Sequence, residues 1–268
     1  TLAGLGGWAR LLGSVGRDAS EYLMRLSSSG LDLESVTSFE DCYSAQAFIT
    51  TDTDANQITA FHPGAMNRAH EINVQQAIEA CQPCRWGIVA PNGKQAMIRH
   101  AETFAESGLR FIFDPGQGLP MFSGEELLHF IGLAEALIVN DYEASMLMQK
   151  TGLNEVELSK GLSALVVTQG AQGCRLIREG RSIDFSAVPA AQVVDPTGCG
   201  DAFRGATLYA LSLGCEWEDA IRLGTILGSI KVEHAGAQNH PIDRHQISSR
   251  WLEDFGQEPP AVLGLSRQ

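Results

Sequence analysis

The chain has 268 residues, 44% hydrophobic and 19% charged, enough for one large α/β domain with a continuous core. Its formal net charge of −13 repels polyanions, which argues against nucleic acid or an anionic membrane as a partner. No apolar run approaches the roughly 18 residues of a membrane span, and no signal peptide opens the sequence.

The first glycine cluster, Gly4-Leu5-Gly6-Gly7-Trp8-Ala9, has a weak dinucleotide-like spacing. No strand precedes it and no acid follows in the right context, so it is set aside. Residues 44–51 and 57–61 read as short strands joined by the polar turn Thr-Asp-Thr-Asp-Ala-Asn. A hairpin this early suits a small flap over one sheet edge, and residues 41–64 are assigned to it. Its end, Phe61-His62-Pro63-Gly64-Ala65-Met66, is apolar enough to face a ligand or simply to pack on the body. Cys81-Gln-Pro-Cys84 has metal or redox spacing but lacks a second pair, so it reads as a helix end or loop with incidental thiols. The other cysteines, Cys42, Cys174, Cys199 and Cys215, are scattered in a way that suits a reducing cytoplasm.

From there apolar runs alternate with amphipathic stretches. Residues 86–90, 111–113, 136–139 and 165–168 read as buried parallel strands, and 94–107, 125–133 and 142–150 as helices between them. This is the rhythm of a doubly wound sheet. Residues 174–178 and 182–185 bracket Glu179-Gly180 as a hairpin. Helices are expected at 202–213, 218–233 and 245–255, then a loose tail after Gly256. No linker or repeat divides the chain, so 1–268 reads as a single domain.

Three strand ends carry polar groups. Asp114-Pro115-Gly116-Gln117-Gly118 reads as the rim of a site. Asn140-Asp141-Tyr142-Glu143 follows a strand and opens a helix. It fits a capping box, and it also lies where open α/β sheets bind ligands. Thr168-Gln169-Gly170-Ala171-Gln172-Gly173 is a strand end with two glycines. There is no Gly-x-x-x-x-Gly-Lys-Ser/Thr phosphate loop.

The densest signal is Val194-Asp-Pro-Thr-Gly-Cys-Gly-Asp-Ala-Phe-Arg-Gly205. A glycine-rich turn entering a helix aims unpaired N–H groups at one point, and the helix dipole adds positive charge. That would be an anion site, and phosphate is the usual occupant of such a site. Asp201 beside a phosphate is repelled by it, unless it takes a proton from an attacking hydroxyl. The competing reading is a helix capped by Thr197 with Asp201 in its first turn.

Asp195, Thr197, Gly198, Gly200, Asp201 and Phe203 resemble the Asp-Thr-x-Gly-Ala-Gly-Asp-x-Phe signature of the ribokinase-like (phosphofructokinase-B type) carbohydrate kinases, which include adenosine kinase. Cys199 stands in the usual alanine position. The resemblance implies a ribokinase-like, doubly wound, mostly parallel sheet with helices on both faces and a small β lid. It implies Asp201 as catalytic base and the backbone of Gly198, Cys199 and Gly200 as the anion hole. Asn140 and Glu143 match an Asn-x-x-Glu motif tied to magnesium and phosphate. Thr168, Gly170 and Gly173 match a nucleotide-contacting stretch. His234 and Gly236 would border the adenine pocket and, with Asp195, hold a monovalent cation such as K+; His234 could equally be a helix C-cap cation. ATP and Mg2+ are the implied cofactors. Family members begin earlier, with a substrate-binding segment of roughly 40 to 50 residues on ordinary element lengths. Residues 1–6 resemble the second half of the helix that follows it. The acceptor therefore stays open. Adenosine or a related nucleoside is favoured, with Phe61 stacking on its base. A sugar such as ribose or fructose is the alternative, and a non-catalytic ligand-binding protein the third. A homodimer through the lid is a further expectation.

Overall fold

The computed structural model describes residues 1–51, 57–81 and 83–265. In chain order its elements are β1 (Gly13–Gly16), α1 (Ser20–Ser28), β2 (Val36–Phe39), β3 (Gln46–Thr51), β4 (Gln57–His62), α2 (Val74–Ala80), β5 (Gly87–Val89), α3 (Lys94–Glu106), β6 (Phe111–Phe113), α4 (Gly124–Leu133), β7 (Ala136–Asn140), α5 (Asp141–Thr151), α6 (Glu155–Leu158), β8 (Ala164–Thr168), β9 (Cys174–Arg178), β10 (Arg181–Phe185), α7 (Cys199–Ser212), α8 (Trp217–Val232) and α9 (Arg244–Phe255).

The main sheet has the order β10-β9-β8-β7-β6-β5. β5 to β8 are parallel, and β9 and β10 close the edge as an antiparallel hairpin. Successive side chains on a strand point to opposite faces, and here both faces are buried. Phe111, Phe113, Leu137, Val139, Leu165 and Val167 enter one core, with residues of α3, α4 and α5. Ile112, Ala136, Ile138, Ala164 and Val166 enter the other, with residues of α7, α8 and α9. Continuous apolar strands are the sequence mark of such a two-faced sheet. The carboxyl ends of β5 to β8 lie along one edge, where ligands of open α/β sheets bind.

The lid is β3 and β4, antiparallel, with Gln46 opposite His62 and Ala47 opposite Phe61. The turn 52–56 between them lies outside the described residues. Its base crosses β1: the Ala65 N–H donates to Tyr43 O at 2.8 Å, and the Gly16 N–H to Ser44 Oγ at 2.9 Å. Gly64 has φ of 48°, and a Cβ there would sit 2.3 Å from Tyr43 O. Only glycine permits that crossing.

Three stretches differ from the sequence reading. β1, α1, β2 and α2 went unread, because four-residue strands such as Gly-Ser-Val-Gly show no usable periodicity. Residues 2–6 are turns rather than helix, held by the Leu5 N–H to Thr1 O and the Gly7 N–H to Leu2 O. The tail is not loose: Leu263 and Leu265 are buried, and the Arg244 guanidinium donates to Gly264 O at 2.9 Å.

Candidate active site

α7 begins at Cys199, three residues earlier than its apolar pattern suggests. Gly198 is the N-cap, with φ of 84° and no side-chain cap. A Cβ at Gly198 would lie 2.7 Å from Ala237 O, so glycine is required by both conformation and space. Thr197 therefore does not cap the helix. Its N–H instead donates to Asp195 Oδ1 at 2.8 Å. The Cys199 N–H turns back to Pro196 O at 3.2 Å. The Gly200 and Asp201 N–H groups have no partner among the described residues, as first-turn amides of an uncapped helix do not. The Gly198 N–H likewise has no partner among the described residues, so the amides of Gly198, Gly200 and Asp201, with Cys199 a shared donor, are the ones an anion hole here would use. Burial pushes the Cys199 thiol up, so it supplies backbone rather than a nucleophile.

Asp201 projects into solvent, 81% exposed, with Arg204 Nη1 3.8 Å from its Oδ1. Arg204 is one turn along α7 and pairs with Asp114 at the end of β6, Nη2 to Oδ1 at 2.9 Å. Asp114 is buried, and burial lifts it to about 6 despite the pull of Arg204; Glu143 and Asp201 push the same way. These four groups form one charged cluster across β6, α5 and α7. Arg204 is part of the site that sequence reasoning missed, although its spacing from Asp201 (i, i+3) places both on one helix face.

Asn140 and Glu143 form the capping box of α5: Asn140 Oδ1 accepts the Glu143 N–H at 2.7 Å, and Glu143 Oε2 accepts the Asn140 N–H at 2.9 Å. They also sit at the strand ends, with Asn140 paired in register to Thr168. The capping box is therefore formed, and it stands at the carboxyl end of β7. The Thr168 hydroxyl donates to Val139 O at 3.4 Å. Gly170 has open space around its Cβ position; Gly173, φ 100°, lies against the Phe185 carbonyl. Among the described residues no three His, Cys, Asp or Glu side chains cluster as a metal cage.

The loop before α7 rests on the end of α8. Val232 O accepts the N–H groups of Val194 and Asp195 at 2.8 and 3.0 Å. Asp195 Oδ2 accepts the Gly236 N–H at 2.8 Å. The Thr197 and Gly236 amides hold the Asp195 carboxyl down at about 2. His234 Nδ1 lies 2.9 Å from Ile230 O. A carbonyl only accepts, so that nitrogen carries the proton and the ring caps α8. Lys231 is fully buried and donates to Asp195 O at 2.8 Å and to His234 O at 3.0 Å. It too went unread, although it is the lone charge in 223–232, the pattern of a paired buried lysine.

Phe61 belongs to the lid, not to this cluster, and is 53% exposed. A cavity of about 580 Å³ borders Trp8, Ile78, Trp86 and Phe104 beside edge strand β5 and includes no residue of the cluster.

The family model for pfkB family carbohydrate kinases matches residues 1–244. The chain belongs to that family. It is an ATP-dependent phosphotransferase with a ribokinase-like fold. A nucleoside kinase of Methanothermobacter thermautotrophicus is 31% identical over 253 residues, 93% of this chain and 81% of that one. The nucleoside kinase of Burkholderia thailandensis in complex with inosine superposes with a TM-score of 0.90 at 44% identity, covering 96% of this chain and 84% of that one. A ribokinase of Lactococcus lactis is 25% identical over 251 residues, 91% of this chain and 79% of that one.

Proposed function

We propose that this kinase transfers the γ-phosphoryl group of ATP to the primary hydroxyl of a nucleoside, with purine nucleosides such as inosine and adenosine as acceptors. The likeness to the inosine-bound Burkholderia thailandensis enzyme, 44% identical at a TM-score of 0.90, carries this reading. The ribokinase comparison is weaker, at 25% identity.

The Asp201 carboxylate takes the hydroxyl proton as the acceptor oxygen attacks the γ-phosphorus. The bond to the ADP oxygen breaks and the proton stays on Asp201. The amides of Gly200 and Asp201 and the dipole of α7 hold the charge on the transferred oxygens. Arg204, 3.8 Å from Asp201, offsets the repulsion between that carboxylate and the phosphate. Asn140 and Glu143 are the residues that would hold Mg2+, mostly through water. A sparse protein donor set fits an ion that keeps its waters and binds the phosphates. When bound, Mg2+ neutralises phosphate charge. Thr168 and the turn at Gly170 to Gly173 would line the nucleotide, with His234 and Gly236 at its far border.

On the lid, Phe61 and Ile49 share one face, whereas Phe48 and Ile58 share the other. The Phe61 face would cover the base. The opposite face, with Phe48 62% and Ile58 78% exposed, is the surface a homodimer would use. The six free thiols support a cytoplasmic setting.

A panel of inosine, adenosine, ribose and fructose, with the phosphorylated products identified by mass, tests the reading. Nucleoside monophosphate formation at the highest kcat/KM is the expected result. Sugar phosphorylation without nucleoside turnover would overturn the acceptor, and so would phosphoryl transfer to neither class.

A further inference from the structure

The resemblance led us to expect a free monovalent cation near Asp195, His234 and Gly236, and the residues present do not fit one. The main-chain oxygens of Asp195 and His234, donors of the kind such an ion needs, are already turned on the Lys231 ammonium at 2.8 and 3.0 Å. Lys231 is wholly buried. An unpaired charge there would be very costly, so its position requires the carbonyls it binds. The negative end of the α8 dipole adds to their pull. So does the Asp195 carboxylate, which Lys231 in turn helps keep ionised.

The two carbonyls belong to different loops. One precedes the anion hole and the other follows α8. The same pair of loops is stitched by Asp195 Oδ2 to the Gly236 N–H and by the contact of Gly198 on Ala237. The cation therefore sits behind the turn that aims the Gly200 and Asp201 amides.

We propose that Lys231 is a built-in monovalent cation, a tethered ammonium that draws the 194–198 and 233–237 loops together, positions the anion hole and makes the enzyme independent of K+. Lys231 is a positioning residue and touches no reacting atom. The proposal rests on the kinase reading but on no particular acceptor.

The test compares wild type with Lys231→Ala, which removes the ammonium and leaves room for an ion. Turnover and unfolding midpoint are measured in choline, sodium, potassium and ammonium chloride at matched ionic strength. The wild type should show the same turnover and the same midpoint in all four. Lys231→Ala should lose about 10²-fold in kcat in choline, the scale of a 1 Å misplacement. Potassium, ammonium or added propylammonium should recover part of it. The variant's midpoint should rise in potassium more than in sodium. A wild type stimulated several-fold by potassium would overturn the proposal, even if the variant does not fold. So would a folded variant that keeps wild-type turnover, or one that no cation rescues. A wild type with no turnover on any acceptor would count against the kinase reading instead. The midpoints would still decide this one.

Discussion

Around the α7–α8 corner, polar atoms are densely committed. Asp195 accepts two amides at its carboxylate and a buried ammonium at its carbonyl, and Val232 O accepts two more amides. Along the lid, Phe48, Ile49, Ile58 and Phe61 are all more than half exposed. Ordered amides aimed at a developing charge cost nothing to reorganise during reaction. A thin apolar sheet, by contrast, gains its packing when a ligand fills the space beneath it. On the proposed reading, phosphoryl transfer belongs to the corner and acceptor recognition to the lid.

The sharpest way to break this division is Asp201→Asn. Turnover should fall about 10²- to 10⁴-fold, the usual worth of a general base. ATP affinity should not fall, because the variant removes a negative charge beside the phosphates. Equilibrium ATP binding and single-turnover phosphorylation check the two halves. Retained turnover would move the chemistry off α7.

Phe61→Ala probes the other side. Loss of base stacking should weaken inosine binding by about 1–3 kcal/mol, read by calorimetric titration with magnesium and a non-hydrolysable ATP analogue. Phe48→Ala, on the opposite face of the same hairpin, should leave that affinity unchanged. Equal losses at both positions would mean that the lid only packs.

Gly198→Ala sharpens the account of the corner's rigidity. A left-handed residue with a Cβ costs about 1–2 kcal/mol, and Ala237 O stands in the way. The unfolding midpoint should drop by about 2–4 °C per kcal/mol. Gly200→Ala meets a side chain, the Arg204 guanidinium, rather than backbone and should lower the midpoint less.

The smallest effect near neutral pH concerns Asp195. Its folded carboxyl lies at about 2, below its ordinary 3.8. Between these values the unfolded chain binds more protons than the folded one. The resulting stability is complete above about pH 4 and is lost as pH falls through about 2. Asp195→Asn should flatten the acid side of a midpoint-against-pH curve. An unchanged acid limb would mean that the loop hydrogen bonds do not form in solution.

Much of this was legible in the residues. The two-faced sheet showed in Ala136 to Val139 and Leu165 to Val167, because burial on both sides leaves an unbroken apolar run. Asp201, Gly198 and Gly200 showed through a long local motif. Arg204 and Lys231 did not, since their partners, Asp114 and the Asp195 carbonyl, lie 90 and 36 residues away in sequence. Tertiary pairing of single side chains has no period to read. The early start of α7 was hidden for a local reason: glycines open it, and their weak helix preference masks a turn stabilised by its docking on Ala237 and Val232.

The division of labour itself is tested most directly by kcat and KM for inosine, measured side by side in wild type, Asp201→Asn and Phe61→Ala at saturating ATP and magnesium. The account predicts that Asp201→Asn lowers kcat with little change in KM, and that Phe61→Ala raises KM with little change in kcat. An Asp201→Asn enzyme that turns over like wild type, or whose defect lies in KM, would contradict it.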